Sequence, residues 1–489
     1  MVSFNTIQHS RLPWMWVEFD NSAASASVPK WKTLILGTKK QSGKADLEKP
    51  YLVSSSTAAM EMFGENSLLH RQIDAYKLND SMNETWAYAF ARTASASTAS
   101  IDFLDKTGSR TASQANEQFV LNMGGKIVTI ELDAADNASR KETWAQKLVE
   151  ALRKNSALGV SAEVEVTESF VAVNITALNK DDSFDDMYLA VEKSPAAFDV
   201  VVSQFQSGRQ EYNFSKLFAA LGDEKFNCIV CPFTDAESLK ALSDEMDTRW
   251  GGHTQNDGFV CLTTNAAHQN AITLSQSLNS QCLTLFSAYG IPDSTARINA
   301  AIAAQISRSA AIDPAMPLQT LPLKGINAPR IEQKTRFEER NVLLNNGIST
   351  LNCTANTVHI ERALTTYKRN PSGQNDESYL SLENVLTLSY IRNDFRTYFW
   401  NKYSRYKLAD DGTSFRSGQK VMTPKLAKAE AIARFNQWEL DGLVQNASDF
   451  TKQLIVERNA QNRSRLDFLL PPTIMNQLVQ VATQIQFRI

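Results

Sequence analysis

The sequence is poor in the residues that build metal and disulfide sites. Its five cysteines, Cys228, Cys231, Cys261, Cys282 and Cys353, are odd in number and mostly lie inside apolar runs, which argues against a disulfide framework. The five histidines, His9, His70, His253, His268 and His359, contain no i, i+4 pair and no H-E-x-x-H, which makes poor material for a metal site. No apolar run approaches the roughly 20 residues of a membrane span, and the opening MVSFNTIQHSRLPW lacks the charged-then-apolar plan of a signal peptide, so a cytosolic product is expected.

Phosphate loops are missing as well. No G-x-G-x-x-G follows a strand-like run. Gly37 to Lys44, GTKKQSGK, places five residues between its glycines, has Ala45 where Ser or Thr would hold magnesium, and meets Pro50 where a helix should run. Cys228-Ile-Val-Cys231 matches C-x-x-C, but on a buried strand residues three apart face opposite ways, so the sulfurs read as core. The pairs Asp181-Asp182, Asp185-Asp186 and Asp410-Asp411 lie in polar, turn-like stretches and read as solvated loops. No catalytic residue, metal or cofactor is expected.

What is present is length and pattern. At 489 residues, two to four domains are expected, with 43% apolar and 21% charged residues. The net charge of -3 hides an asymmetry: residues 1–323 carry 27 Lys and Arg against 37 Asp and Glu, a balance of -10, and residues 324–489 carry 23 against 16, a balance of +7. The basic residues are interleaved with acidic ones and no nucleic-acid motif occurs, so the basic third reads as a solvated or protein-facing surface and no nucleic acid contact is expected.

Both ends of the chain look like arms. From Val479 the odd positions Val479, Val481, Thr483, Ile485, Phe487 and Ile489 alternate with Gln480, Ala482, Gln484, Gln486 and Arg488, the period of a half-buried strand. Pro471-Pro472 sets it off, and it needs a sheet to join, either within its own subunit or, by strand addition, in a neighbour. At the other end, PWMWVEFD reads as a second terminal strand with Trp14 and Trp16 on one side and Met15, Val17 and Phe19 on the other, followed by the small polar tether NSAASASVP.

Between the arms the reading is α/β, in several domains. WKTLILGT and WAYAFART read as strands around a helical pair, giving the first part of a middle α/β domain at 31–97. Residues 98–195 read as a small β-rich insertion, with strands at 119–122, 126–132, 162–167 and 170–176 and a helix over 138–154 whose apolar face carries Trp144, Leu148, Val149 and Leu152. FDVVVS, FNCIVCPF, GFVCLTT and CLTLFSAYG, alternating with helical patterns, predict that a parallel sheet resumes over 196–323. A C-terminal α/β inner domain is expected over 324–472, with a helix stopped at Gly347, two strands around a polar turn, a long helix through YLSLENVLTLSYIRNDFRTYFWNKYSRY, and a helix with Thr423 as N-cap, Pro424 at N1 and Gly442 beyond its end. Residues 473–489 are the closing arm. The strand-end residues Asp235, Asn265, Asp293 and Ser294 could line a ligand site in an α/β enzyme, the rival reading, but each also sits where a helix needs an N-cap.

The C-terminal third contains an ordered series: ERNVLLNNGIST, VHIERALTTYKRN, DESYLSLE, KYSRYKLADDGT, TPK, LDGLVQN and IVERNAQNRSRLDFLLPP, then the last strand. Together with the Val2-Ser3-Phe4-Asn5-Thr6-Ile7 opening and GGKIVTIEL of the insertion, it resembles the contractile tail sheath proteins of the Mu-like phage group. That resemblance implies a structural, non-enzymatic subunit. Such subunits polymerise as stacked hexameric rings around a tail tube in a virion tail assembled in the host cytoplasm, and the sheath shortens to drive the tube through an envelope. The implied partners are further copies, the tube protein, and baseplate and tail-terminator proteins, with no membrane insertion by the sheath itself. It also implies that Trp14, Trp16, Val17 and Phe19 and, at the other end, Val479, Val481, Ile485, Phe487 and Ile489 belong to donated strands. The host sheet would include Val358, Ile360, Leu364 and Tyr367, and Lys402, Arg405 and Lys407 are candidates to face the tube.

Overall fold

A computed structural model describes residues 31–91, 96–105, 117–132, 140–167, 170–178, 184, 187–196, 198–206 and 212–488. The N-terminal arm, with Trp14, Trp16, Val17 and Phe19, and the last residue, Ile489, lie outside the described residues.

The chain starts in a sheet. Strands β1 (Lys32–Gly37), β2 (Pro50–Leu52) and β3 (Glu84–Ala89) flank the helical pair α1 (Ser56–Phe63) and α2 (Leu68–Asn79), whose N-caps Ser55 and Ser67 accept from Ala58 N and His70 N. An excursion follows. It comprises β4 (Thr98–Asp105), β5 (Glu117–Met123), β6 (Lys126–Leu132), α3 (Lys141–Lys154), β7 (Val160–Val166), β8 (Phe170–Ala177), β9 (Leu189–Lys193) and β10 (Phe198–Gln206). These strands form two antiparallel sheets, ordered β10-β4-β8-β7 and β6-β5-β9, around their own core, with Trp144 of α3 fully buried in it.

The placement of β10 corrects the reading of FDVVVS as the first strand of the resumed middle domain. It pairs antiparallel with β4, from Phe198 opposite Asp105 to Ser203 opposite Ser100. The reason is in its alternation: Asp199 is exposed while Phe198 and Phe205 enter the insertion core, the signature of a sheet wet on one face. By contrast β1, inside the central sheet, is buried without a break from Thr33 to Gly37.

The central sheet resumes after α4 (Phe214–Leu221) with β11 (Cys228–Val230), α5 (Ala236–Trp250), β12 (Phe259–Thr264), α6 (His268–Gln276), β13 (Leu283–Ser287) and α7 (Thr295–Ile312). Every residue of β11, β12 and β13 is buried, as expected for parallel strands covered on both faces. Cys228 faces one of the two cores and Cys231 the other, so the sulfurs of the C-x-x-C are separated by the sheet. Burial pushes the Cys228 thiol well above its usual range.

Strands β14 (Ser349–Thr354) and β15 (Thr357–Arg362), which follow α8 (Phe337–Asn345), belong to this same sheet, whose order is β15-β14-β13-β12-β11-β1-β3-β2. β14 runs parallel to β13, with Phe286 opposite Ser349, and a tight turn at Ala355 and Asn356, both with positive φ, returns β15 antiparallel. The expected host sheet is thereby corrected. Val358, Ile360, Leu364 and Tyr367 are buried, and the outer edge of β15 is already filled by the chain's own 320–323 segment, through Thr320 N to Ile360 O (2.7 Å), Ile360 N to Leu321 O (3.0 Å) and Leu323 N to Val358 O (2.8 Å). No donated strand can bond there.

Helix α7 lies against the sheet with nearly all of its residues buried, which its run of alanines permits by allowing close approach. Its two inward amide side chains are both used: Gln305 Nε2 donates to Asn79 Oδ1 (3.0 Å), and Asn299 ties the helix to the sheet. The Asn299 amide donates to the carbonyls of Cys231 (2.8 Å) and Cys261 (3.0 Å) at the ends of β11 and β12, and its oxygen accepts from Thr263 Oγ1 (3.1 Å). Replacing Asn299 by Ala removes three buried hydrogen bonds, each worth a net of about 0.5–1.5 kcal/mol. The expected result for N299A is a fall of several degrees in the thermal midpoint of the unassembled chain, followed by circular dichroism; an unchanged midpoint would contradict this role.

Candidate assembly interface

Beyond Arg362 the chain builds a second core. Helix α9 (Leu382–Tyr403) begins in the first: Leu382 and Leu386 pack in the central core, where the buried Glu383 carboxylate accepts from Leu318 N (3.1 Å) and Ser381 Oγ (2.6 Å). Half-way along, Arg392 donates to Asp257 Oδ1 (2.7 Å) and Trp250 O (2.7 Å), with its guanidinium 4.7 Å from the Trp250 ring. From Ile391 onward α9 packs instead with α10 (Pro424–Leu440) and α11 (Ala447–Gln453). Asp394 fastens the pair, accepting from Arg434 and from Trp438 Nε1 (2.7 Å), and its charge holds the Arg434 guanidinium above its ordinary value. Thr423 caps α10 and Gly442, at φ 76°, ends it, with Leu443 N bonding back to Trp438 O (2.9 Å).

Short strands dress this module: β16 (Lys407–Leu408) with β17 (Val421–Met422), β18 (Val444–Gln445) with β21 (Thr473–Ile474), and the hairpin β19 (Ile455–Arg458) with β20 (Leu466–Leu469). The hairpin turn is organised by Asn459, whose Oδ1 accepts from Gln461 N (2.9 Å) and Asn462 N (2.8 Å) while its amide donates to Asp467 Oδ2 (2.6 Å). Phe468 seats the hairpin against Phe395 and Phe399 of α9 at ring distances of 5.4 and 5.1 Å. Among the described residues no third strand joins either edge of this hairpin. Its end residues Ile455 and Leu469 are 51% and 59% exposed.

The closing segment leaves from beside it. Met475 N still bonds Leu443 O (3.0 Å), and Gln319 Nε2 donates to Leu478 O (3.1 Å). From Val479 to Arg488 no ladder forms, so the strand expected here pairs with none of the described residues. Val481, Ile485 and Phe487 are 77%, 83% and 80% exposed, a row of large apolar groups held in water.

Of the tube-facing candidates, Lys402 is engaged within the subunit, donating to Glu430 Oε2 (2.8 Å) and Tyr398 Oη (2.9 Å), and Lys407 reaches Gln419 Oε1 (3.1 Å). Arg405 is exposed on the turn after α9.

The strand-end residues behave as structural parts. Asp235 caps α5 through Ser238 N (2.9 Å). Asp293 is buried and accepts from Asn327 N (2.6 Å), tying down the following loop, so it is no cap; Ser294 occupies the α7 cap position without a side-chain bond, and the cap position of α6 is Ala267, so Asn265 is not a cap. Among the described residues no cluster of three or more His, Cys, Asp or Glu could hold a metal, and no helix is long and apolar enough to cross a membrane. The hairpin β19–β20 was missed by sequence reasoning although IVER and LDFL, split by the Asn- and Ser-rich NAQNRS, carried the signal.

Residues 208–366 match the phage tail sheath protein central domain, and residues 374–488 match the phage tail sheath C-terminal domain. The chain is 32% identical over 497 residues to the Mu-like prophage FluMu tail sheath protein of Haemophilus influenzae, covering 99% of each. Among solved structures it is similar to the sheath tail protein of Desulfitobacterium hafniense at 11% identity, covering 94% of this chain and 100% of that one with a TM-score of 0.49. A chain of the contracted anti-feeding prophage baseplate is similar at 11% identity, 98% and 99% coverage and a TM-score of 0.46. The full-length identity and the two domain matches show that this chain belongs to the phage tail sheath family, as a structural tail protein related to the Mu-like prophage sheath.

Proposed function

We propose that this chain is the repeating subunit of a contractile sheath, joined to its neighbours by exchanged strands, with no catalytic step of its own. In this reading subunits close into hexameric rings that stack around a tail tube between baseplate and tail-terminator proteins. They assemble in the host cytoplasm, and contraction releases energy stored in a metastable lattice to drive the tube through the target envelope. The observation that carries it is the pairing, among the described residues, of an unfilled need with an unfilled edge: apolar residues 479–488 without a sheet, and the two-stranded hairpin β19–β20 without flanking strands. The host moves from β15, whose outer edge is taken, to this hairpin, with the closing strand of one copy on one edge and the Trp14–Phe19 strand of another on the other.

Energetics favour the exchange through side chains. Ordering a backbone residue costs about 1–2 kcal/mol and a hydrogen bond returns a net of roughly 0.5–1.5, so pairing alone nearly cancels. Burying Val481, Ile485 and Phe487 adds roughly 1.5–3 kcal/mol each and decides the sign.

Deleting 477–489 is expected to leave a folded, soluble subunit, because residues 478–488 are exposed and the segment ties back through Gln477 Nε2 to Ala315 O (3.3 Å) and Gln319 Nε2 to Leu478 O (3.1 Å), outside the cores, yet to abolish sheath formation in electron micrographs. Normal tubes from the truncated chain would overturn the strand exchange. The basic surface after α9 is the proposed face toward the tube. Since reversing Lys402 would also place two carboxylates together at Glu430, the informative variant is Arg405→Glu with Lys407→Glu. It is expected to weaken tube-dependent assembly about tenfold at low salt, with the deficit shrinking as salt screens the contact; unchanged assembly at every salt concentration would remove these residues from the tube face.

A further inference from the structure

A groove with a volume of about 400 Å³ runs between the central sheet and the C-terminal module, on the side where α7 ends and α9 crosses. Its apolar wall includes Ile312, Pro314, Leu386 and Leu443. Two polar side chains in the wall are unfinished: Trp31 Nε1, a donor, and Asp257 Oδ2, an acceptor, are buried with no hydrogen-bond partner among the described residues. A peptide group supplies the carbonyl and the N–H that these two want.

We propose that, in the unassembled subunit, the groove receives the chain's own N-terminal segment, with the Trp14–Trp16 stretch as its apolar anchor. Two observations favour this occupant. Residues 1–30 join the described chain at Trp31, which itself lines the groove, so the segment starts at its rim. Few residues, NSAASASVP, separate the Trp14–Trp16 stretch from that rim, so an arm carried on the same chain meets the groove at an effective concentration on the order of millimolar, and even weak contacts hold it. Docking of this kind hides an apolar strand until a neighbouring hairpin competes for it, and it rests on the strand-exchange reading above.

The test uses the full chain in its unassembled state, with Cys353→Ser to silence the half-exposed native thiol, Glu18→Cys in the arm and Ile312→Cys in the groove wall, treated with a short bismaleimide. Mixing isotopically light and heavy chains separates links within one chain from links between copies. The expected result is an intrachain 18–312 link whose yield falls about tenfold when Ser389→Trp fills the groove; Ala311→Trp, at an exposed position of the same wall, replaces it if S389W loses its thermal transition. Links only between copies, equal yields with and without filling, or no link although both thiols alkylate freely would each overturn the docking. If the link fails while removal of the arm still abolishes sheath formation, the groove is excluded and strand exchange stands; if arm-deleted chains form normal sheath, the exchange reading itself fails.

Discussion

One helix belongs to two cores, and the geometry of the subunit depends on it. The first turns of α9 are sealed into the central core by Leu382 and Leu386, and its later turns carry Ile391 and Phe395 in the C-terminal core. A helix advances 1.5 Å per residue without a joint, so the module carrying the open hairpin and the closing segment is set at a fixed angle to the central sheet. Arg392 reinforces the crossing, with Asp257 and the Trp250 ring beneath it. Forces arriving at an exchanged strand would therefore be passed to the sheet through a helix rather than absorbed in a linker.

The same logic separates edges that can bond from edges that cannot. In the central sheet β15 is covered by residues 320–323 and β2 is only three residues long, two ordinary ways to keep an edge from recruiting another chain. Among the described residues the β19–β20 hairpin has neither protection, and a two-stranded hairpin is marginal by itself. It is held by Phe468 against α9 and by Arg458 to Asp410 (2.8 Å), which leaves its edges available. The unpaired tail and the unpaired hairpin are complementary deficits.

Much of this was legible in the residues. The Thr423-Pro424 start and Gly442 stop bounded α10 closely, and the near-continuous apolar runs of β11 to β13 announced a covered parallel sheet. The misses share a cause. FDVVVS and VHIER are good strands in either setting, and their partners are fixed by chain far away: β4, ninety-odd residues earlier, for the first, and 320–323 together with β13 for the second. Local alternation specifies a strand but not which edge it fills. The hairpin built from IVER and LDFL carries the same kind of pattern, and its local residues likewise leave its outer partners open.

The most direct measurement is a cryo-electron microscopy reconstruction of the assembled sheath at a resolution that traces side chains. The account predicts that residues 479–488 lie as a strand against β19 or β20 of a different copy, with Val481, Ile485 and Phe487 turned into its core. Finding that segment paired within its own subunit, or extended into solvent while the hairpin edges stay empty, would contradict it.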